Sequence, residues 1–499
     1  MSIKDTEVHL LNVPLDPTYK NQIKFTSEGS QQSYFSSCTK HSYNGLSYQR
    51  RGKNMKIGAI IDDLVDVNYA MYNNNGKWYY GFITAMEYVG ELNTSLTFEL
   101  DVYQTWLFNV TIMESFVMRE HVAYDGVGSN LVDEGLETGE YIANSTIKND
   151  DLLELYNVVA YSDGLEGVFG GYYSNVFSGA RYRAFSKENS GGMLAFINSK
   201  VTIGKADSIS MIFTIPKFFL SGVIEGADLP YDQIGNMLKQ TILLNMLNID
   251  GYVPKNNKLF TSPYNMLYVS NNKGGSAVYK LENFASNLVE FSIGGEVAPC
   301  PTAICVPNNY KGRDQNYEEM LTMGGFPLCS WNNDIYANWL AQNKTGLMLS
   351  VGGSVGAIIG GIATANPLVA GGGAMGVATQ MSSIYSHSLQ PDQAKGNTAS
   401  GGVNVSFNMN TFFFSQMQIK SQYAERIDNF FEMYGYKINN KKIPELSSRP
   451  YWNYVKTIDI NITGNIPQAD MEELKNIYDF GVTLWHDGAN VGNYNLNNH

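Results

Sequence analysis

The densest group of residues able to do chemistry lies between positions 120 and 140. Glu120 and His121 are adjacent, Asp125 follows closely, and the further acids are Asp133, Glu134, Glu137 and Glu140. Paired carboxyl groups serve glycoside hydrolysis as acid and nucleophile, and carboxylate clusters bind calcium. However, the GVGSN turn in this segment lacks EF-hand spacing, and no second motif completes a ligand set. We therefore interpret the segment as structural and predict that the protein is not an enzyme.

The cysteines are the second group of residues that could do chemistry, as disulfides or as metal ligands. The chain has four, Cys38, Cys300, Cys305 and Cys329, which are too few and too dispersed for a disulfide framework at this size. The last three could hold zinc, but the single pair with four intervening residues lacks a second paired half. We interpret all four as small buried hydrophobes and predict no metal and no cofactor.

The net charge and the residue composition limit the classes of molecule that the protein could bind. The formal net charge is −13 and the pI is about 5.0, so the chain has no basic footprint for binding nucleic acid. Aromatic residues make up 13% and charged residues only 16%, which favours β-sheet and extensive subunit interfaces. The start, MSIKDTEVHLLNV, has an early acid and no apolar core of a signal peptide, which predicts a protein made and kept in a cytoplasm or released by lysis.

Local patterns predict a mainly β fold with some helices, a β-rich α+β class. Val67–Tyr72 and Trp78–Val89 flank the turn Asn73–Gly76, which is typical of a β-hairpin, and Thr97–Tyr103 alternates like a strand. The predicted helices are Ile234–Leu247, Gln416–Tyr434 with a stop at Gly435, and Asp470–Tyr478. The predicted regions are 1–146, β-rich; 147–330, mixed; 331–402, an insertion; and 403–499, returning strands and helices.

The insertion is the least ordinary part of the sequence. No Asp, Glu, Lys or Arg occurs between Lys344 and Asp392. The run Leu347–Ala365 approaches the roughly 20 apolar residues that a helix needs to cross a bilayer, and a second apolar run follows Asn366-Pro367. Residues 345–391 thus predict a membrane-active loop, the alternative being a buried helical hairpin or a glycine-rich loop packed inside the protein.

Glycines recur at four-residue intervals in both halves of the loop and would form a smooth face for helix contact. The residues predicted to carry membrane activity are Leu347, Val351, Gly352, Val355, Gly356, Ile358, Ile359, Gly360, Ile362, Pro367, Leu368, Val369, Gly372, Gly376, Val377 and Met381.

Four further blocks are distinctive: HLLNVPLDPTYKNQIKF near the start, ELDVYQTWLFNVTIMESFVMREHVAYDGVGSNLVDEGLETGEY around position 120, PLCSWNNDIYANWLAQNK at 327–344, and WNYVKTIDINITGNIPQADMEELKNIYDFGVTLWHD near the end. In this order they resemble the distal tail, or tail knob, protein of small short-tailed phages of Gram-positive bacteria, the phi 29 group. The resemblance covers nearly the whole chain and is weakest from about 150 to 300.

The resemblance implies a tail-tube-like β-barrel subunit in a ring. The implied partners are five further copies in a homohexamer and other phage tail proteins. It also implies a position at the distal end of the virion tail, with viral DNA passing through the lumen without specific binding. The loop at 345–391 would plug the tube and then penetrate the host cytoplasmic membrane.

A different function stays open at this point. The run Tyr172-Tyr173-Ser174-Asn175 could bind sugar by ring stacking and amide hydrogen bonds. The alternative is thus a tail protein that binds the host cell wall or a receptor and has no membrane role.

Overall fold

The computed structural model describes residues 6–499 except 47–48, 50–53, 163–170, 174–175, 179–180, 187, 204, 206–207, 221–223, 230–236, 296–300, 325, 327 and 331–409. The fold is mainly β with helices, as the sequence predicts. The chain divides into two compact units. The first unit contains residues 1–139, 251–261 and 420–499, and the second contains 140–250 and 262–419.

The largest sheet of the first unit has six antiparallel strands. They are β1 (Thr6–Leu11), β3 (Thr39–Leu46), β4 (Met55–Ile57), β5 (Tyr69–Asn74), β6 (Lys77–Gly90) and β7 (Asn93–Leu100), in the order β3-β1-β5-β6-β7-β4. The predicted hairpin is confirmed as β5 and β6, and its turn carries positive φ at Asn75 and Gly76.

A second sheet of this unit joins both ends of the chain. It contains β2 (Asn21–Ile23), β9 (Ser115–Glu120), β25 (Tyr436–Lys442), β26 (Trp452–Ile458) and β28 (Val482–Trp485), in the order β2-β28-β26-β9-β25. A short ladder pairs β8 (Val110–Ile112) with β27 (Ile462–Gly464). The sheet packs Trp452 against Trp485 with ring centroids 5.0 Å apart, and burial of such aromatic surface stabilises the unit.

Four helices are described in the first unit: α1 (Glu28–Ser37), α2 (Val102–Trp106), α4 (Ser421–Tyr434) and α5 (Gln468–Phe480). The predicted helix at Asp470–Tyr478 is confirmed as part of α5. The predicted stop at Gly435 is also confirmed, since this glycine has a φ of 65°. A Cβ there would lie 2.1 Å from the Glu120 carbonyl oxygen, so only glycine fits.

The second unit contains the remaining described elements. One sheet has β10 (Tyr141–Lys148), β24 (Phe413–Ile419), β17 (Asn265–Ser270) and β18 (Ser276–Lys280), in that order. Another has β14 (Arg181–Phe185), β11 (Leu155–Tyr161), β15 (Ile209–Pro216) and β23 (Leu328–Ser330). The others are β12 (Gly171–Tyr173), β13 (Val176–Ser178), β16 (Leu238–Leu243), β19 (Leu288–Gly295), β20 (Ala303–Tyr310), β21 (Arg313–Gln315), β22 (Leu321–Met323) and α3 (Ser190–Thr202).

One helix prediction is wrong where the structure describes it, and another is confirmed only from Ser421 to Tyr434. Within the predicted helix at 234–247, Leu238–Leu243 is strand β16, paired with β19. Within the helix predicted to start at Gln416, residues up to Ile419 form strand β24, and α4 begins at Ser421. Short polar-apolar runs fit both periods, and pairing with distant strands decides between them.

The alternation at Thr97–Tyr103 is a strand only as far as Leu100. Asp101 then caps α2 by accepting a hydrogen bond from the Gln104 backbone N–H at 3.0 Å. An aspartate before a short helix is a common N-cap because its carboxylate satisfies an otherwise unpaired amide. The same carboxylate also accepts a hydrogen bond from the Tyr69 hydroxyl at 2.9 Å.

Candidate functional site

His121 lies at the end of β9 and is almost fully buried. Its Nδ1 accepts a hydrogen bond from the Tyr454 backbone N–H at 2.8 Å, and its Nε2–H donates to the Glu432 carbonyl oxygen at 3.0 Å. Burial, assisted by the positive charge of Arg449, lowers the pKa of His121 to about 3. Both nitrogens of a neutral imidazole are therefore occupied by the backbone, and His121 has no free position with which to act as a base.

Glu134 is the centre of a buried ion-paired group. Its side chain is fully buried and contacts the Arg119 guanidinium and the Lys258 ammonium, the latter at 2.7 Å. Its Oε1 also accepts a hydrogen bond from the Lys437 backbone N–H at 2.9 Å. Burial lowers the pKa of Lys258, whose Nζ lies 5.5 Å from the centre of the Tyr436 ring. Charges so enclosed persist only because each has a partner.

Glu120 has a similar environment on the neighbouring part of the sheet. Its side chain is buried, lies 2.6 Å from Lys442 Nζ, and accepts a hydrogen bond from the Glu445 backbone N–H at 2.7 Å. Burial raises the pKa of Glu120, and the Lys442 contact opposes that rise. The carboxylate therefore joins β9 to the loop after β25.

Asp125 and Asp428 attach the segment 251–261 to the first unit. Asp125 accepts hydrogen bonds from the Asn257 backbone N–H at 2.8 Å and from the Tyr436 hydroxyl at 2.6 Å. Asp428, buried on α4, accepts two bonds from Asn256, at 3.0 Å from its backbone N–H and at 2.7 Å from its side-chain amide. Backbone donors satisfied by carboxylates make this segment a fixed part of the unit.

The acids of the 120–140 segment thus do not converge on an open site. Glu120, Asp125 and Glu134 each hold a different partner, whereas Asp133, Glu137 and Glu140 are exposed. No group of His, Cys, Asp or Glu among the described residues has the geometry of a metal site. The contacts agree with the structural interpretation of this segment.

The structure shows the burial of two of the four cysteines, Cys305 and Cys38. Cys305 on β20 is buried, and burial raises the pKa of its thiol well above the usual value, as suits a small hydrophobe. Cys38 is half-buried. Cys300 lies outside the described residues.

The predicted membrane-active loop lies wholly outside the described residues, from Leu347 through Met381. Its attachments are described on both sides, in the second unit. On the N-terminal side β23 pairs with β15, and on the C-terminal side β24 lies between β10 and β17. The chain before β24 is held by Asn149, whose backbone N–H donates to the Phe412 carbonyl oxygen at 3.1 Å. The insertion therefore connects two paired strands.

In the described part of the chain, no helix has the length and apolar character required to cross a membrane. The pair Tyr172-Tyr173, considered for sugar binding, lies on strand β12.

Sequence reasoning missed three structurally important residues, Lys258, Asn256 and Asp428. Asp428 and Asn256 are 172 positions apart, and Lys258 and Glu134 are 124 apart. No local pattern links such residues. The only available signal was the presence of two polar residues, Asp428 and Glu432, on the helical face that also carries Ile427 and Phe431, all four being buried.

Comparisons with known proteins agree with this architecture. A family profile described as the C-terminal domain of the tail knob protein gp9 of Bacillus phage phi29 matches residues 231–499. A profile of the Caudoviral major tail protein N-terminus matches residues 4–111. The solved structure of the bacteriophage C1 tail knob protein gp12 has the same fold, with a TM-score of 0.62 over 97% of both chains at 14% identity.

Two curated relatives match from end to end. The tail knob protein gp9 of Bacillus phage phi29 is 26% identical over 603 aligned positions, covering 99% of each chain. Its counterpart in Bacillus phage B103 is 26% identical over 607 positions with the same coverage. Both alignments exceed the 499 residues of this chain, so the relatives contain segments that this chain lacks.

Fold and matches together define a structural protein of a phage tail. Because the gp9 profile covers more than half of the residues, the chain belongs to the phi29 tail knob protein gp9 family.

Proposed function

We propose that this protein forms a homohexameric ring at the distal end of the tail, through which the phage genome leaves the virion. In this proposal the loop at 345–391, within the insertion, closes the channel before infection and afterwards penetrates the host cytoplasmic membrane. One observation carries it: within a tail knob protein, the connection between the paired strands β23 and β24 contains a glycine-rich stretch, residues 345–391, without Asp, Glu, Lys or Arg.

The first compact unit is the proposed wall of the tube. The profile of a major tail protein matches residues 4–111, which lie in this unit. The C-terminal strands β26 and β28 pair within the same unit, in a sheet that also contains β2 and β9. This grouping supports the proposal that most of regions 1–146 and 403–499 build the tube together, with 147–330 forming a separate mixed region. The exceptions are 140–146 and 403–419, which belong to the second unit, and 251–261, which belongs to the first.

Charge supports a passive channel. Six copies carry a formal charge of −78, six times the −13 of one chain. A lumen lined by part of this charge repels phosphates, so DNA makes few of the Lys and Arg contacts that release counterions and retain it. We expect no appreciable DNA binding by the purified protein even at low salt, where attraction is strongest. Tight, salt-sensitive binding would contradict the passive channel.

The apolar composition of the loop at 345–391 favours its entry into a membrane. Burying apolar surface in lipid contributes roughly 25 cal/mol per Å². Unpaired backbone groups there cost several kcal/mol each, so entry requires helix formation. In water the same residues must be covered, because a large exposed apolar patch promotes association. Six insertions near one axis would cover one another and also block the channel.

The proposal is tested with the full-length protein and with a variant lacking residues 347–381. Native mass spectrometry and electron microscopy should find six copies in a ring with a central hole for both proteins. Release of a dye from liposomes should occur with the full-length protein and be lost with the deletion. A persistent monomer in both solution and assembled tails would refute the ring, and leakage by the deletion variant would refute the membrane role.

A further inference from the structure

A cavity of about 360 Å³ lies in the first unit, between α2, α5 and the loop that follows β25. Its deeper wall is formed by buried residues: Tyr103, Pro444, Leu474 and Tyr478. Ile443 lies at its edge and is 58% exposed. The volume is at the lower end of the range of about 300–1,000 Å³ for ligand pockets, so it suits one or two side chains better than a large cofactor.

Lys24 gives this apolar pocket one positive charge. Its Nζ donates to the Leu446 carbonyl oxygen at 3.4 Å and to the Ser447 hydroxyl. Throughout the described residues, no carboxylate lies within ion-pair distance of Lys24. Burial lowers the pKa of this lysine. The pocket therefore favours an apolar side chain that has an acidic neighbour.

The tip of the β6–β7 hairpin combines exposed apolar side chains with neighbouring acids. Tyr88 is 61% exposed, Leu92 is 67% exposed, and Val89 is 48% exposed. Glu87 and Glu91 lie beside them and are exposed as well. Neighbouring apolar side chains on a protruding hairpin indicate a contact surface, because single-chain proteins usually keep such groups covered.

The hairpin cannot reach the pocket of its own chain. Its base lies beside the pocket, since Lys77 at the start of β6 donates to the Asn109 side-chain oxygen at 3.2 Å, and Phe108 and Val110 line the cavity. The 14 residues of β6, at about 3.3 Å each, put the tip roughly 40 Å from that base. Only a second copy can bring the tip and the pocket together.

We propose that the β6–β7 tip of one copy docks in the Lys24 pocket of the neighbouring copy. Leu92 or Tyr88 enters the cavity, while Glu87 or Glu91 pairs with Lys24. Two different surfaces meet in this contact, so it is heterologous, and repeated contacts of this kind close into a ring when the rotation permits. The inference rests on the proposed ring and identifies the surfaces that form it.

The direct test uses two single-cysteine additions, Leu92→Cys and Ile443→Cys, in separate preparations of the full chain. Mixed together and treated with a short bismaleimide, they should give a covalent dimer. Each variant treated alone shows the background from the native thiols. Wild-type protein mixed with either variant provides the second control. A ring that assembles but gives no dimer above background overturns the inference.

A second measurement does not depend on cross-linking. Leu92→Asp should reduce ring formation at least about tenfold, whereas Leu247→Asp, at a position 79% exposed in the second unit, should leave it unchanged. Ring formation unaffected by Leu92→Asp would refute the docking, yet leave the proposed ring intact. If wild-type protein forms no ring in solution or in tails, the proposed function itself fails.

Discussion

The acidic segment at 120–140 and the loop at 345–391 differ in almost every chemical respect. The first concentrates ionisable residues, and the described contacts use them as fixed partners: Glu134 with Arg119 and Lys258, and His121 with two backbone groups. The second contains no Asp, Glu, Lys or Arg, and it is the part to which we assign the membrane activity. Under the proposed function, the dense titratable groups therefore belong to the framework, and the uncharged loop is the site of action.

The largest expected effect comes from breaking the buried ion-paired group. Glu134→Gln leaves the Arg119 and Lys258 charges enclosed without a counterion. We expect the first unit to lose about 3–5 kcal/mol of its free energy of unfolding. Tryptophan fluorescence during denaturant unfolding measures this loss, because the first unit contains Trp78, Trp106, Trp452 and Trp485.

Glu137→Gln is the matched control, since Glu137 is an exposed acid three positions away. Its removal should change the free energy of unfolding by less than about 0.5 kcal/mol. Equal stability of the two variants would contradict the framework role of the charged segment.

The next effect is a pH dependence with two opposing sources in the first unit. Burial raises the pKa of Asp101 to about 7 and lowers the pKa of His121 to about 3. Between pH 4.5 and 6 the unfolded chain binds the proton of His121, whereas the folded chain binds that of Asp101. His121 therefore makes stability fall as pH falls, and Asp101 makes it rise.

Single substitutions separate these sources. Asp101→Asn should shift the slope of unfolding free energy against pH by about +1.4 kcal/mol per pH unit relative to wild type, so stability falls faster on acidification. His121→Asn should shift it by about −1.4 kcal/mol per unit. The slopes come from denaturant unfolding at several pH values. Two variants with the slope of wild type would show that neither group is held in the protonation state described.

The smallest effect on stability is expected for substitutions in the uncharged loop at 345–391. Changing Val355, Ile359 and Ile362 together to Asp should alter the free energy of unfolding of either unit by less than about 0.5 kcal/mol, because the insertion is proposed to act outside the framework. Denaturant unfolding of the variant beside wild type measures this. A loss of several kcal/mol would favour the alternative in which these residues belong to a buried core.

Sequence patterns predicted the mainly β class, the hairpin β5–β6 and helix α5, since each has a strong local signal. The Asn75-Gly76 turn permits positive φ, and α5 follows Pro467 with apolar residues at helical spacing. The strand β16 was missed because its pairing with β19 joins residues about 50 positions apart.

The candidate site was less accessible to sequence reasoning. The acids at 120–140 were interpreted as structural because no complete ligand set was present, and Glu120, Asp125 and Glu134 each have a fixed partner in the folded chain. Their partners were not predictable, since Lys258 and Asn257, which contact Glu134 and Asp125, reach these acids only through the folded chain. The Lys24 pocket is likewise assembled from segments near 24, 107, 443 and 474, which no local pattern connects.

We propose that the uncharged loop at 345–391, and not the charged framework, opens the host membrane. The direct measurement is potassium efflux and genome entry in host cells infected by phage carrying Val355→Asp, Ile359→Asp and Ile362→Asp, beside phage carrying Leu at the same three positions. Both should assemble and adsorb like wild type. We predict that the Leu phage delivers its genome and that the Asp phage causes neither efflux nor entry. Delivery by the Asp phage at the wild-type level would refute the membrane role of the loop.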